Sequence, residues 1–198
     1  QRIITERGQK TIGAKRSNSR ENVAIVATIN AAGVKMTSLF IFKGQRIQAA
    51  WVCNPGPPGS WYTATDSSFM QGPVYLDFMR KFKEFIVERG LDDGKPHVLL
   101  LEGHASHATL DVLEYARDIN IHLCQLPSHS SNITQPLDVC AFAMFKRQMA
   151  EALTSFPGKN GMRMPTKCDI ASLVRDCWET AFTPANILAS FSRAGIFP

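Results

Sequence analysis

The sequence predicts an α/β fold, a mixed sheet flanked by helices, on three observations. A β-prone hairpin opens the patterned part of the chain, a strand, helix, strand alternation fills its middle, and amphipathic helices close it. The hairpin is Asn22 to Asn30 and Met36 to Phe42, both rich in β-branched and aromatic residues, joined through a turn at Ala31 to Gly33. Asn54 to Gly59 then breaks regular structure with three prolines and two glycines, flanked by Trp51 and Trp61.

From Gly72 to Arg89 the apolar residues Val74, Phe78, Phe82, Phe85 and Ile86 recur at helical spacing. Arg80, Lys81, Lys83, Glu84 and Glu88 fill the opposite face, and Gly90 ends the helix. His97 to Glu102 is a short apolar run of the kind that is buried on both faces of a sheet. A second amphipathic helix through Leu110, Leu113 and Ala116 leads to a strand from Ile119 to Leu126, the order of a parallel crossover. A helix is expected from about Asp138 to Ser155 with Pro136 at its start, then a loop to Thr166, then helices over Lys167 to Ala181 and Ala185 to Arg193.

With 198 residues, 44% of them apolar, the chain has the length and apolar content of one globular domain over residues 1–198. No run reaches the roughly 18 to 20 uncharged apolar residues of a membrane span, so no membrane partner is expected. The five cysteines form an odd set without a Cys-x-x-Cys pair, which speaks against a disulfide framework and a zinc ribbon and for a reducing compartment. A formal charge of +5 suits a polyanionic partner.

Two stretches carry chemistry: Leu99-Leu-Leu-Glu-Gly-His-Ala-Ser-His107 and Leu126-Pro-Ser-His-Ser-Ser-Asn-Ile-Thr-Gln-Pro-Leu-Asp-Val139. They put Glu102 at the end of a strand and Asp138 at the start of a helix. Open α/β sheets place their sites at strand ends, and two carboxylates converging there can share hard divalent cations. As plain structure, Glu102 caps the next helix and Asp138 complements a helix dipole.

The same stretches resemble the DDE superfamily endonuclease domain of pogo, Tigger and jerky transposases and of centromere protein B. The resemblance rests on Gly103, His104, Ser106, His107, Pro127, His129, Ser130, Ser131 and the run Gln135-Pro-Leu-Asp-Val139, followed by Phe142, Phe145 and Lys146. Arg7 to Lys10, Asn30 to Gly33, Phe40 to Lys43, Pro57 to Gly59 and Ser192 to Pro198 also look like the family. The resemblance implies a ribonuclease-H-like mixed sheet flanked by helices, Mg²⁺ or Mn²⁺ in a two-metal site, DNA as partner, and cleavage or strand transfer at DNA phosphodiesters. It further implies a nuclear protein and leaves homo-oligomerisation open.

Asp138 matches the third catalytic acid of that family. Glu102 stands where the family has its second acid, an Asp. The first acid belongs to an Asp-Glu-x-Gly strand shortly before the Arg7 to Lys10 stretch; Glu6 does not match it, so the first strand and its acid are expected to be missing from residues 1–198. Catalytic and metal-ligating roles therefore fall on Glu102 and Asp138. The alternative is a domesticated DNA-binding or scaffold protein that keeps the fold without cleavage.

His104, His107, His129 and Cys124 have zinc-ligand chemistry, but only His104 and His107 are closely spaced. Together with His129 and Gln135 they are better read as hydrogen-bonding partners that steady the acids. Lys10, Lys15, Arg16, Arg20, Lys43, Arg46, Lys146 and Arg147 are candidate phosphate contacts. Trp51, Trp61 and Tyr62 either stack on a base or pack locally, with local packing the commoner use of such residues beside prolines.

Overall fold

The computed structural model describes residues 22–102, 109–127 and 130–197. β1 (Val23–Val26) and β2 (Leu39–Lys43) form the expected antiparallel hairpin, with Val26 opposite Leu39. The connecting turn is closed by Asn30, whose Oδ1 accepts from the N–H groups of Ala32 and Val34 at 3.1 and 2.8 Å. Gly33 sits there at φ +83°, and a Cβ would meet Leu188 and the Pro184 carbonyl at 3.4 Å, so glycine serves both the turn and the close approach.

The proline stretch breaks regular structure as expected, but the chain forms elements on either side of it that the sequence reading does not foresee. These are α1 (Ala49–Val52) and β3 (Trp61–Thr65), the latter parallel to β2 with Phe40 opposite Tyr62. β2 is thus the centre of a three-stranded mixed sheet, and Leu39 to Phe42 are each at most 1% exposed. Burying four such side chains stabilises the fold by about 1.5–3 kcal/mol each.

α2 (Gly72–Glu88) follows the expected pattern, with Pro73 in its first turn and Gly90 closing it at φ +65°. Its exposed face carries the ion pairs Arg80–Asp77 and Lys81–Glu84. β4 (His97–Leu101) and β5 (Ile121–Gln125) pair in parallel around α3 (Leu110–Asp118), the crossover read from the sequence.

Two expectations fail here. β4 is not buried on both faces: Leu99 packs toward α2 and α3, whereas Val98 on the opposite face is 63% exposed. On α3 the buried positions are Val112 and Ala116, while Leu110 and Leu113 face outward. The mixed α/β architecture itself is as expected, its strands forming, among the described residues, a three-stranded and a two-stranded sheet flanked by helices.

A short helix α4 (Ser131–Thr134) precedes a π-helical turn at Leu137–Ala141 and then α5 (Phe142–Lys159). The helix runs past Ser155 and through Pro157, so the expected loop begins only at Asn160. α6 (Lys167–Ala181) and α7 (Pro184–Arg193) lie where the sequence puts them. Phe145, Trp178, Phe182, Ile187 and Phe191 from these helices cluster against Phe40 and Phe42.

α6 is anchored by a capping box. Asp169 accepts from the Thr166 N–H and hydroxyl at 2.8 and 2.9 Å and from both guanidinium nitrogens of Arg163 at 2.8 and 2.7 Å. The Arg163 guanidinium and the Thr166 donors hold the Asp169 carboxyl down at about 2. Because the folded value lies below the unfolded one, the stabilisation is present above pH 4 and is lost as pH falls toward 2. Arg163 is half exposed, which discounts the gain to roughly 1–2 kcal/mol. Urea midpoints of Asp169→Asn and the parent are expected to differ at pH 7 and to draw together as pH falls from 4 toward 2.

Candidate active site

Parallel pairing puts the carboxyl ends of β4 and β5 on one side of the fold. The Leu126 N–H donates to the Leu101 carbonyl at 2.9 Å and locks the two ends together. Glu102 emerges from β4 at that end and is exposed. From β5 the chain turns at Ser130, whose hydroxyl donates to the Pro127 carbonyl at 2.7 Å, and reaches Gln135 through α4. Glu102, Leu126 and Gln135 line the same cavity, so the structure brings the two signature stretches together.

Asp138 lies in the π-helical turn. Its N–H donates to the Gln135 carbonyl at 3.0 Å, as does that of Val139 at 3.2 Å. The Ala141 N–H donates to the buried Ser190 hydroxyl of α7 at 3.3 Å, and Ser190 in turn donates to the Asn186 carbonyl. A side chain thus takes up a backbone donor of the widened turn, and α7 fixes the segment that carries the acid. Such π turns recur at functional sites. The Asp138 side chain is 28% exposed, with Lys146 Nζ 3.7 Å from Oδ1.

Gln135 contributes a further feature: its Oε1 is buried and has no hydrogen-bond partner among the described residues. Leaving it unpaired costs about 1–3 kcal/mol. Its backbone carbonyl accepts the Asp138 N–H, and no bond from its side chain to either acid is found among the described residues. His104, His107, His129, Lys10, Lys15, Arg16 and Arg20 lie outside the described residues.

The basic candidates fall into two groups. Lys43 and Arg46 are exposed in the connection after β2, where Lys167 joins them, its Nζ donating to the Lys43 carbonyl at 3.1 Å and lying 4.7 Å from the Trp51 ring centroid. Lys146 and Arg147 are exposed on α5 next to the acid. Arg193 joins this second group, reaching Cys140 Sγ at 3.9 Å. Lys167 and Arg193 escape sequence reasoning because the fold, not the local pattern, brings them in from the last helices.

The aromatic residues around the proline loop are spent on packing. Trp51 stacks on Phe42 and Tyr62 on Phe40, each with centroids 5.3 Å apart, and the Tyr62 hydroxyl accepts from the Gly56 N–H at 2.8 Å. The five cysteines are free thiols.

Two carboxylates match the hard oxygen preference of Mg²⁺ and Mn²⁺, so the donor chemistry fits. Among the described residues, however, no three His, Cys, Asp or Glu side chains converge as a metal cluster.

The fold is a mixed α/β one, with Glu102 at the carboxyl end of β4 and Asp138 in the π turn that follows β5, the end of a parallel pair at which α/β folds place their sites. The family model described as DDE superfamily endonuclease matches residues 19–191, and the chain belongs to that family. A curated relative, "MFS-type transporter clz9" of Cochliobolus lunatus, is 28% identical over 181 residues. The alignment covers 91% of this chain and 19% of that protein, so the chain spans about a fifth of its relative. Among the described residues no helix is long and apolar enough to cross a membrane. No solved structure matches.

Proposed function

We propose that this chain is a transposase-derived nuclease core, ribonuclease-H-like in fold, that acts in the nucleus on DNA phosphodiesters by cleavage or strand transfer. The observation that carries the reading is the delivery of Glu102 and Asp138 by the carboxyl end of β4 and the segment following β5, in a chain of the endonuclease superfamily. Glu102 and Asp138 would hold Mg²⁺ or Mn²⁺, which supplies an activated water and neutralises charge at the phosphate.

The chain's own residues do the rest. The π turn, held by Ser190, orients the Asp138 carboxylate, and Lys146 offsets its charge before a cation binds. Lys146, Arg147 and Arg193 beside the acid, with Lys43, Arg46 and Lys167 around Trp51, offer phosphate contacts that position DNA without reading its sequence.

Two observations favour a second reading, a DNA-binding or scaffold protein that no longer cleaves. Glu102 is one methylene longer than the family's Asp, and active sites are held to about 0.5 Å. Lys146 also competes with a cation for Asp138. Plasmid nicking in Mn²⁺ separates the readings. Glu102→Gln is expected to lose nicking by about 100-fold or more while Glu102→Asp retains it. Equal, metal-independent rates for the parent and both variants would favour the binding protein.

A further inference from the structure

The π turn decides which side chains share a face with Asp138. The Phe142 N–H donates to the Leu137 carbonyl, five residues back instead of four, so the turn holds one residue more than an α turn. In a regular α-helix the eight positions from Asp138 to Lys146 would leave the two side chains about 80° apart around the axis. The extra residue cancels most of that angle and brings Lys146 onto the face of Asp138, about two turns further along.

Helical side chains lean back toward the N-terminus, and the long lysine stem spans the remaining distance. Lys146 Nζ ends 3.7 Å from Asp138 Oδ1 and 5.7 Å from the centroid of the Phe142 ring. That ring is itself held, edge-on to the buried Phe182 at 6.0 Å. Carboxylate and ring face together define a seat for one cation, and the ammonium sits in it.

The seat holds the ammonium weakly. The lysine side chain is 72% exposed, and an exposed pair shifts an equilibrium by no more than about fivefold. A divalent cation brings twice the charge to the same oxygen at a shorter distance, so the ammonium gives way to it. Once released, the ammonium joins Arg147 on the same helix and Arg193 of α7, both exposed, in a group whose charge suits phosphates.

We propose that Lys146 couples metal binding to DNA binding, an inference that rests on the metal-dependent nuclease reading. Its ammonium pairs with Asp138 in the absence of a divalent cation and passes to a DNA phosphate when a cation takes the carboxylate. Metal and DNA then each raise the affinity for the other, as linkage requires. Without metal the same surface offers DNA one phosphate contact fewer, so the phosphodiester is gripped fully only where a cation is in place to act on it.

The test is a double-mutant cycle on the affinity for a fluorescein-labelled DNA duplex, read by anisotropy in EDTA, with Asp138→Asn standing in for the neutralised acid. Lys146→Gln is expected to cost less than about twofold where Asp138 is present and about fivefold or more beside Asp138→Asn. Asp138→Asn should also steepen the salt dependence by about one phosphate contact, a change that the double variant lacks. An equal cost in both backgrounds makes Lys146 an ordinary surface cation and overturns the proposal, as does failure of all these proteins to bind the duplex. Calorimetric titration with Mn²⁺ separates the coupling from the reading on which it rests. Lys146→Gln is expected to bind Mn²⁺ about threefold tighter than the parent. Saturable binding of equal or lower affinity overturns the coupling and leaves the metal site standing, whereas no saturable binding in either protein removes both.

Discussion

Asp138→Asn is expected to remove metal-dependent nicking of supercoiled DNA while leaving the circular dichroism spectrum and Tm of the protein in place. The change keeps side-chain size and removes the charge that a divalent ion requires. Groups that only support a metal ligand cost about 10–100-fold when lost, so loss of a ligand itself should exceed that, on the order of 1,000-fold. The fold should not suffer. Asp138 contributes one long ion pair to a 72% exposed lysine, and exposed pairs are worth about 0–1 kcal/mol. The backbone bond that fixes the turn is made by its N–H, which asparagine retains. Nicking by the variant within about threefold of the parent would remove Asp138 from the chemistry.

The largest effect on stability is expected at Trp178→Ala. Trp178 is 2% exposed, and its ring lies 4.2 Å from that of Phe182 and edge-on to Phe145 at 6.0 Å. These residues join α5 and α6 at the centre of the larger cluster. Truncation removes the transfer energy of the indole and leaves a cavity that ring-shaped neighbours cannot close, at about 3–5 kcal/mol. For a chain of this size that lowers Tm by about 10 °C. Urea unfolding followed by far-UV circular dichroism measures it; a midpoint equal to the parent's would mean that the helices do not pack through this residue.

How far the sequence could be read depended on how local each signal was. α2 and α6 were legible because their apolar periodicity and their caps, Pro73, Gly90 and Thr166, lie within the elements themselves. The β4, α3, β5 crossover was legible from order and length. β3 was not: its five residues sit directly after the proline stretch, and its partner β2 lies some twenty residues back, so turn chemistry overrode strand propensity. The exposed faces of β4 and α3 were misread because an apolar run shows that burial is available, not which neighbour supplies it. At the candidate site, the places of Glu102 after β4 and of Asp138 near the start of a helical segment were legible from the strand and helix pattern. The π turn and its Ser190 support were not, since that bond links residues from two distant segments.

Calorimetric titration of Mn²⁺ into the protein and into Asp138→Asn tests the central claim most directly. Saturable binding to the parent and its loss in the variant are expected. Equal heats in both proteins, or no saturable binding in the parent, would contradict a metal site at Glu102 and Asp138.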